Sequence, residues 1–290
     1  MLKIALPKGS LQEQTLQLFA DADLAVKRSA REYTVAVADE RISAVKILRP
    51  QEIPKYIEEG YFDLGVSGFD CITESGADVV EIADMPYAKT GTGVMKMVIA
   101  VPEESPVQKA SGIAPGSRVT TEFPNITRKY FENMGIPVEV FYSYGATEAK
   151  VPELMDVVVD LTETGSTLRR NRLKILDTIM ESTTKLIANK ASWEDPDKRK
   201  AMEEIRTLLL GVIDARGRVL LSMNVAKEKI DDVVNMLPAM KRPTVAPLYN
   251  SDYFEITTVV EKDEVNVIIP RLKEKGAEDI LEQNISKIVR

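Results

Sequence analysis

The chain has 290 residues, 44% of them apolar and 29% charged, which suits a globular protein of two or three domains rather than a disordered one. Its 38 basic and 45 acidic residues leave a net charge of −7, so a broad nucleic-acid footprint or an anionic membrane surface is disfavoured and any anion must be captured locally. The absence of histidine excludes Ser-His-Asp, Cys-His and imidazole-metal chemistry, and the single cysteine, Cys71, excludes an internal disulfide or a Cys-rich metal site.

The opening reads as strand, turn and helix. Apart from Lys3, residues 2–6 are apolar, Pro7, Lys8, Gly9 and Ser10 punctuate, and 11–19 has helical apolar spacing with Ser10 as the expected N-cap. No secretory signal precedes this unit, and no apolar run approaches the ~20 residues of a membrane span, so the expected compartment is the cytoplasm. A second unit follows, with a strand over 47–49 and a helix over 53–59 that ends at Gly60. A third runs from a strand at 63–66 through Ser67, Gly68, Phe69 and Asp70 into a helix ending near Gly76.

Residues 88–93 read as a flexible crossover, 94–101 as a strand, and the proline-punctuated stretch 102–115 as a domain boundary. More βα units follow: a strand at 118–121, a helix at 125–134 closed by Gly135, and strands at 138–141 and 156–161. Alternating strands and helices predict a parallel sheet with right-handed crossovers, whose sites lie at the carboxyl ends of the strands. Lys8, Arg49, Asp70, Thr120, Thr121 and Asp160 fall at such ends. Another strand-like piece lies within 175–188, and 197–210 is an amphipathic helix after Pro196 that is expected to pack on the first lobe. From about residue 211 the order becomes βαββαβ, that of a ferredoxin-like module, with Pro270 set to kink or interrupt its second helix.

Residues 160–168, Asp-Leu-Thr-Glu-Thr-Gly-Ser-Thr-Leu, carry the most specific signal. They follow the apolar Val157, Val158 and Val159, and a buried strand entering a small hydroxyl-rich turn is how an α/β protein aims backbone N–H groups at a phosphate. Gly165 permits the turn, while Thr164, Ser166 and Thr167 supply donors. Asp160 and Glu163 would repel a bare phosphate and suit ribose hydroxyls or a Mg²⁺ ion held through water. These features together describe a sugar-phosphate site.

The sequence resembles the ATP phosphoribosyltransferase family. The resemblance rests on Ile-Ala-Leu-Pro-Lys-Gly-Ser-Leu at 4–11, Leu48-Arg49-Pro50 before Ile53-Pro54, Gly60-Tyr61-Phe62-Asp63-Leu64-Gly65 with Gly68 and Asp70, residues 160–168, Arg242-Pro243-Thr244, and Pro247-Leu248. It spans nearly the whole chain and points to the long form. The fold it implies is α/β: a two-lobe periplasmic-binding-protein-like catalytic core plus a C-terminal ferredoxin-like (ACT-like) α+β regulatory domain. The expected divisions are 1–93 with 182–212 for lobe I, 94–181 for lobe II and 213–290 for the regulatory domain.

The implied reaction joins N1 of ATP to C1 of 5-phosphoribosyl 1-diphosphate with Mg²⁺, releases diphosphate, opens histidine biosynthesis and is inhibited by histidine. On that reading Thr164, Gly165, Ser166 and Thr167, with Thr162 beside them, hold the 5-phosphate. Asp160, helped by Glu163, is the catalytic carboxylate on the ribose hydroxyls. Lys8 and Arg49 face diphosphate or triphosphate charge, Asp70 and Glu148 face the adenosine or the metal, and the metal ligands stay unassigned. Asn224, Met240 and Thr244 match effector positions, where an acidic residue is usual at the first, so Asn224 cannot pair with the effector's amino group by charge. The pattern also departs before the phosphate strand, where an expected glycine is missing and 151–155 is one residue short. Arg169, Arg170 and Arg172 are expected to face solvent, with Glu163 as a ready partner. The family further implies homo-oligomers, dimer and hexamer, and neither a nucleic-acid nor a membrane partner.

Two other functions share parts of this pattern. A solute-binding protein would have the same two lobes but is normally secreted, and a phosphoribosyltransferase for a free base would not need the C-terminal module. A P-loop NTPase is excluded because no Gly-x-x-x-x-Gly-Lys-Ser/Thr run occurs.

Overall fold

The computed structural model describes residues 1–27, 34–87, 93–238 and 242–290. All of the expected crossover 88–93 except Gly93, and the effector candidate Met240, lie outside the described residues. The chain divides into two compact units, Met1–Arg206 and Thr207–Arg290.

The first unit runs β1 (Leu2–Pro7), α1 (Gln12–Asp21), β2 (Val26–Lys27), β3 (Thr34–Val37), β4 (Ile42–Leu48), α2 (Ile53–Glu58), β5 (Leu64–Gly68), α3 (Phe69–Ser75) and β6 (Val80–Asp84). It continues through β7 (Met95–Pro102), β8 (Arg118–Thr121), α4 (Pro124–Asn133), β9 (Glu139–Tyr142), β10 (Val157–Thr162), α5 (Ser166–Arg170), β11 (Leu173–Ser182), β12 (Thr184–Ala188) and α6 (Lys190–Glu194). Two sheets result, one of seven strands in the order β2-β3-β4-β1-β5-β12-β6 and one of five in the order β11-β7-β10-β8-β9. This is a two-lobe α/β architecture with one sheet in each lobe. The central strands are buried on both faces, as Ile4, Ala5 and Leu6 of β1 and Val157, Val158 and Val159 of β10 show, which is why they read as continuous apolar runs.

The expectation of a parallel sheet holds only in part. β1 runs parallel to β4 and β5, and β8 to β9 and β10, whereas β7, β11 and β12 are antiparallel to their neighbours. The strand-like stretch 175–188 is two strands in different sheets. The reason lies in the crossings. β12 starts at Thr184 opposite Gly68, the last residue of β5, and β7 brings Lys96 opposite Thr162, the last residue of β10. The chain thus enters each sheet at the carboxyl ends of its parallel strands, and a strand entering there must run antiparallel.

Ser10 does not cap α1. Leu11 occupies the cap position without a side-chain bond, and Gly9, at φ +91°, turns its carbonyl to accept from the Gln12 N–H at 3.1 Å.

The helix α7 (Pro196–Ala215) crosses the division between the units. The second unit then contains β13 (Arg218–Ala226), α8 (Ile230–Val234), β14 (Thr244–Pro247), β15 (Tyr253–Glu261), α9 (Val265–Glu274) and β16 (Ala277–Asn284). Its sheet, β14-β15-β13-β16, is antiparallel throughout and has ferredoxin-like order. Val219, Leu221, Met223 and Val225 alternate inward from β13 onto Ile256, Val265 and Leu272. Pro270 neither breaks α9 nor ends it. Pro270 and Asn266, whose carbonyl loses its helical donor, are both exposed, so water can satisfy that group. Among the described residues no helix is long and apolar enough to cross a membrane.

Candidate active site

The strand β10 leaves the core at Asp160. Its parallel register pairs Val159 with Thr121, so Asp160 emerges beside Glu122 at the end of β8. Asp160 Oδ1 accepts from the Leu161 N–H at 2.7 Å. Burial first, and then the nearby charges of Glu148 and Glu122, raise its pKa to about 6 against that bond. A carboxylate in this setting gains from any ligand that brings donors or positive charge.

Beyond it the chain turns sharply. Thr162 Oγ1 accepts from the Gly165 N–H at 2.8 Å, and Gly165 sits at φ +70°. A Cβ there would come within 3.0 Å of Arg169 Nη1 and 3.2 Å of Ile175 Cδ1, so both conformation and space select glycine. Thr164, Ser166 and Thr167 are exposed around it. The helix that follows has only five residues, so its contribution to an anion is the N–H groups of its first turn, which have no partner within the helix. Arg169 donates from Nη2 to the Thr164 carbonyl at 2.9 Å and packs its guanidinium against Gly165. The expected Arg–Glu163 pairing does not form there, since Glu163 Oε1 is buried with no hydrogen-bond partner.

A cleft of about 370 Å³ opens between the two sheets of this unit, with Gln14, Pro50 and Asp70 on one side and Phe123, Leu161 and Glu163 on the other. Asp70 is buried there. Ser182 Oγ donates to its Oδ1 at 2.5 Å, Cys71 Sγ donates to its Oδ2 at 3.2 Å, and its own N–H donates to Ser182 Oγ at 3.0 Å. Burial, and then the Asp70 charge, push the Cys71 thiol well up, which makes it an inert packing residue. Lys8 and Arg49 are exposed at neighbouring strand ends, because β1 pairs Pro7 with Leu48 and the Lys8 N–H donates to the Leu48 carbonyl at 2.6 Å. Their chain neighbours Ser10 and Pro50 line the cleft.

The structure therefore brings Asp70 and Glu163 into one cleft, with Lys8 and Arg49 along the chain on its first wall and the turn 164–167 next to Glu163 on its second. Thr120 and Thr121 are buried at the end of β8, where Thr121 Oγ1 accepts from the Phe123 N–H at 2.9 Å. Glu148 lies in a separate depression with Glu103 and Arg172, although its charge still reaches Asp160. Sequence reasoning missed Glu122, Gln14 and Ser182. The strand-end rule could have found Glu122, the first residue after the strand 118–121.

Among the described residues no three carboxylate or thiol groups cluster as a metal cage. That donor set fits a Mg²⁺ ion held by one carboxylate and the phosphates of a substrate, for which the unpaired Glu163 Oε1 is available.

A family model described as HisG, ATP phosphoribosyltransferase, matches residues 49–211, and a second, described as HisG, C-terminal domain, matches 215–287. This chain belongs to the ATP phosphoribosyltransferase family. It is 46% identical over 288 residues to the ATP phosphoribosyltransferase of Pelotomaculum thermopropionicum, with 99% of each chain covered. It is 44% identical over 289 residues to that of Chlorobium phaeovibrioides, covering 100% of this chain and 98% of the relative. A solved ATP phosphoribosyl transferase (HisG:HisZ) complex from Thermotoga maritima superposes with a TM-score of 0.64 at 29% identity, covering 74% of this chain and 99% of that one. Matches to both family models mark the long form. The chain is a transferase that uses ATP, and the family catalyses the first step of histidine biosynthesis.

Proposed function

We propose that this chain joins N1 of ATP to C1 of 5-phosphoribosyl 1-diphosphate, giving 1-(5-phosphoribosyl)-ATP and diphosphate, under feedback inhibition by histidine. The observation that carries the reading is the left-handed Gly165 turn that follows the raised-pKa Asp160, at the carboxyl ends of β8 and β10. Thr164, Gly165, Ser166 and Thr167, with Thr162 holding the turn closed, bind the 5-phosphate. Asp160 in its carboxylate form accepts from the ribose hydroxyls and, with Glu122, stabilises the positive charge that develops at C1 as the diphosphate leaves. Lys8 and Arg49 balance polyphosphate charge, and Asp70, locked by Ser182, shapes the adenosine side. Glu163 would hold Mg²⁺, which when bound neutralises the departing diphosphate. Nothing here needs a histidine, because the nucleophile is a neutral ring nitrogen and the work is orientation.

The catalytic core in this reading comprises 1–93 with 182–212 and 94–181, and the module 213–290 is regulatory. Leu221, Met223 and Val225 face its core, so Asn224 alternates to the opposite face. Asn224 lies opposite Glu255, Thr244 opposite Thr257, and both partners are on β15. Asn224 Nδ2 donates to Asp279 Oδ2 at 2.9 Å. Glu255 supplies, next to Asn224, the negative charge that Asn224 lacks for an amino group. We also take the enzyme to be cytoplasmic and a homo-oligomer, dimer and hexamer.

The test is diphosphate release with ATP, 5-phosphoribosyl 1-diphosphate and Mg²⁺, with and without histidine. Release that requires both substrates and falls with histidine supports the reading. Ligand binding without turnover would favour a solute-binding protein, and release with adenine in place of ATP would favour a free-base enzyme.

A further inference from the structure

Four buried side-chain atoms among the described residues lack a hydrogen-bond partner, and two of them, Gln14 Oε1 and Glu163 Oε1, line the same cleft. Gln14 reaches it from α1, which belongs to the seven-stranded lobe, and Glu163 from the turn after β10 in the five-stranded lobe. A buried acceptor without a donor destabilises the ligand-free protein, and native interiors retain few of them. Two in one cleft call for ligand groups that present donors or positive charge to both walls.

The rest of the lining narrows the ligand. Leu11, Pro50, Tyr87, Phe123 and Leu161 offer apolar surface of the kind that sandwiches a flat heteroaromatic ring. Tyr87 stands at the Gln14 turn of α1, since its hydroxyl is 2.6 Å from Thr15 Oγ1. A carboxamide oxygen among such faces accepts from the edge of a base, while the carboxylate of Glu163, beside Asp160, is placed for hydroxyls or a cation.

We propose that Gln14 is the residue that selects a 6-aminopurine, its Oε1 accepting from the exocyclic amino group. The inference rests on the reaction proposed above. In adenine the amino group and N1 share one ring edge, so a side chain that fixes the first also aims the second at C1 of the sugar. A 6-oxopurine fails twice, because it sets an acceptor against Oε1 and carries a proton on N1.

The experiment compares kcat/KM for ATP with that for purine riboside 5′-triphosphate, which lacks the amino group but keeps a basic N1. The wild-type enzyme should favour ATP by about 10-fold or more. Gln14→Met, close in shape but without the acceptor, should bring that ratio near one and raise the melting temperature of the ligand-free protein. Gln14→Glu, which keeps an acceptor, should retain a preference for ATP. A Gln14→Met enzyme that still prefers ATP as the wild type does would overturn the assignment. If the wild-type enzyme released no diphosphate from ATP, the proposed reaction itself would fail, and that result is visible before any variant is made.

Discussion

Asp63 and Asp160 are aspartates at opposite ends of the strands, and the chain treats them in opposite ways. Asp63 stands before β5, where its carboxylate accepts from the Lys3 N–H at 2.7 Å, Ser192 Oγ at 2.7 Å and Lys198 Nζ at 2.8 Å. Burial alone would raise its pKa, but Lys198, the Lys3 amide and Ser192 together hold it below the usual range. Asp160 has one backbone donor and two acidic neighbours, and its pKa goes up to about 6. The amino ends of the strands are completed by the protein's own groups. At the carboxyl ends Asp70 is taken by Ser182, whereas Asp160 has a single backbone donor and is left for a ligand to satisfy.

Substitutions at the two aspartates should therefore differ in kind. Asp160→Asn should lower turnover by about 100-fold or more while leaving the melting temperature unchanged or higher, because it removes a buried charge facing like charges. Near-normal kinetics would show that Asp160 has no part in turnover. Gly165→Val should remove most of kcat/KM for the sugar donor, mainly through a raised KM, since its side chain would meet Arg169 and Ile175 in a left-handed turn. Asp63→Ala should do the reverse, costing about 2–3 kcal/mol of stability in denaturant titrations with KM values close to wild type.

The pH dependence sharpens the contrast. Asp160 binds its proton more tightly folded than unfolded, so its contribution to stability is complete below the unfolded value of about 3.9 and is lost as pH rises through about 6. Asp63, lowered on folding, contributes above its unfolded value and loses that contribution as pH falls through its folded one. Asp160→Asn should flatten the stability profile between about pH 4 and 6, and the kcat/KM of the wild type should fall below about pH 6 as the carboxylate is protonated. The smallest effect lies in the second unit, where Asn224→Ala should weaken histidine inhibition several-fold and leave turnover unchanged.

The sequence made the strand ends readable because the central strands are apolar on both faces and stop at small, polar or glycine residues. Residues 157–170 read as strand, turn and helix for that reason. The helix is short because Arg172, at φ +54°, turns the chain into β11 five residues after Thr167, which local propensity does not reveal. The antiparallel entry of β7 and β12 was hidden, since it depends on where the chain crosses between sheets. So was the environment of Asp160, because Glu122 comes beside it only through the register of β8 against β10. Asp70 looked free in the sequence, whereas Ser182, 112 positions later, takes its carboxylate.

The most direct measurement is a crystal of the enzyme soaked with 5-phosphoribosyl 1-diphosphate. The 5-phosphate is expected within hydrogen-bond distance of the 164–167 backbone, with the ribose hydroxyls on Asp160. Sugar donor bound elsewhere, with that turn empty, would contradict that placement.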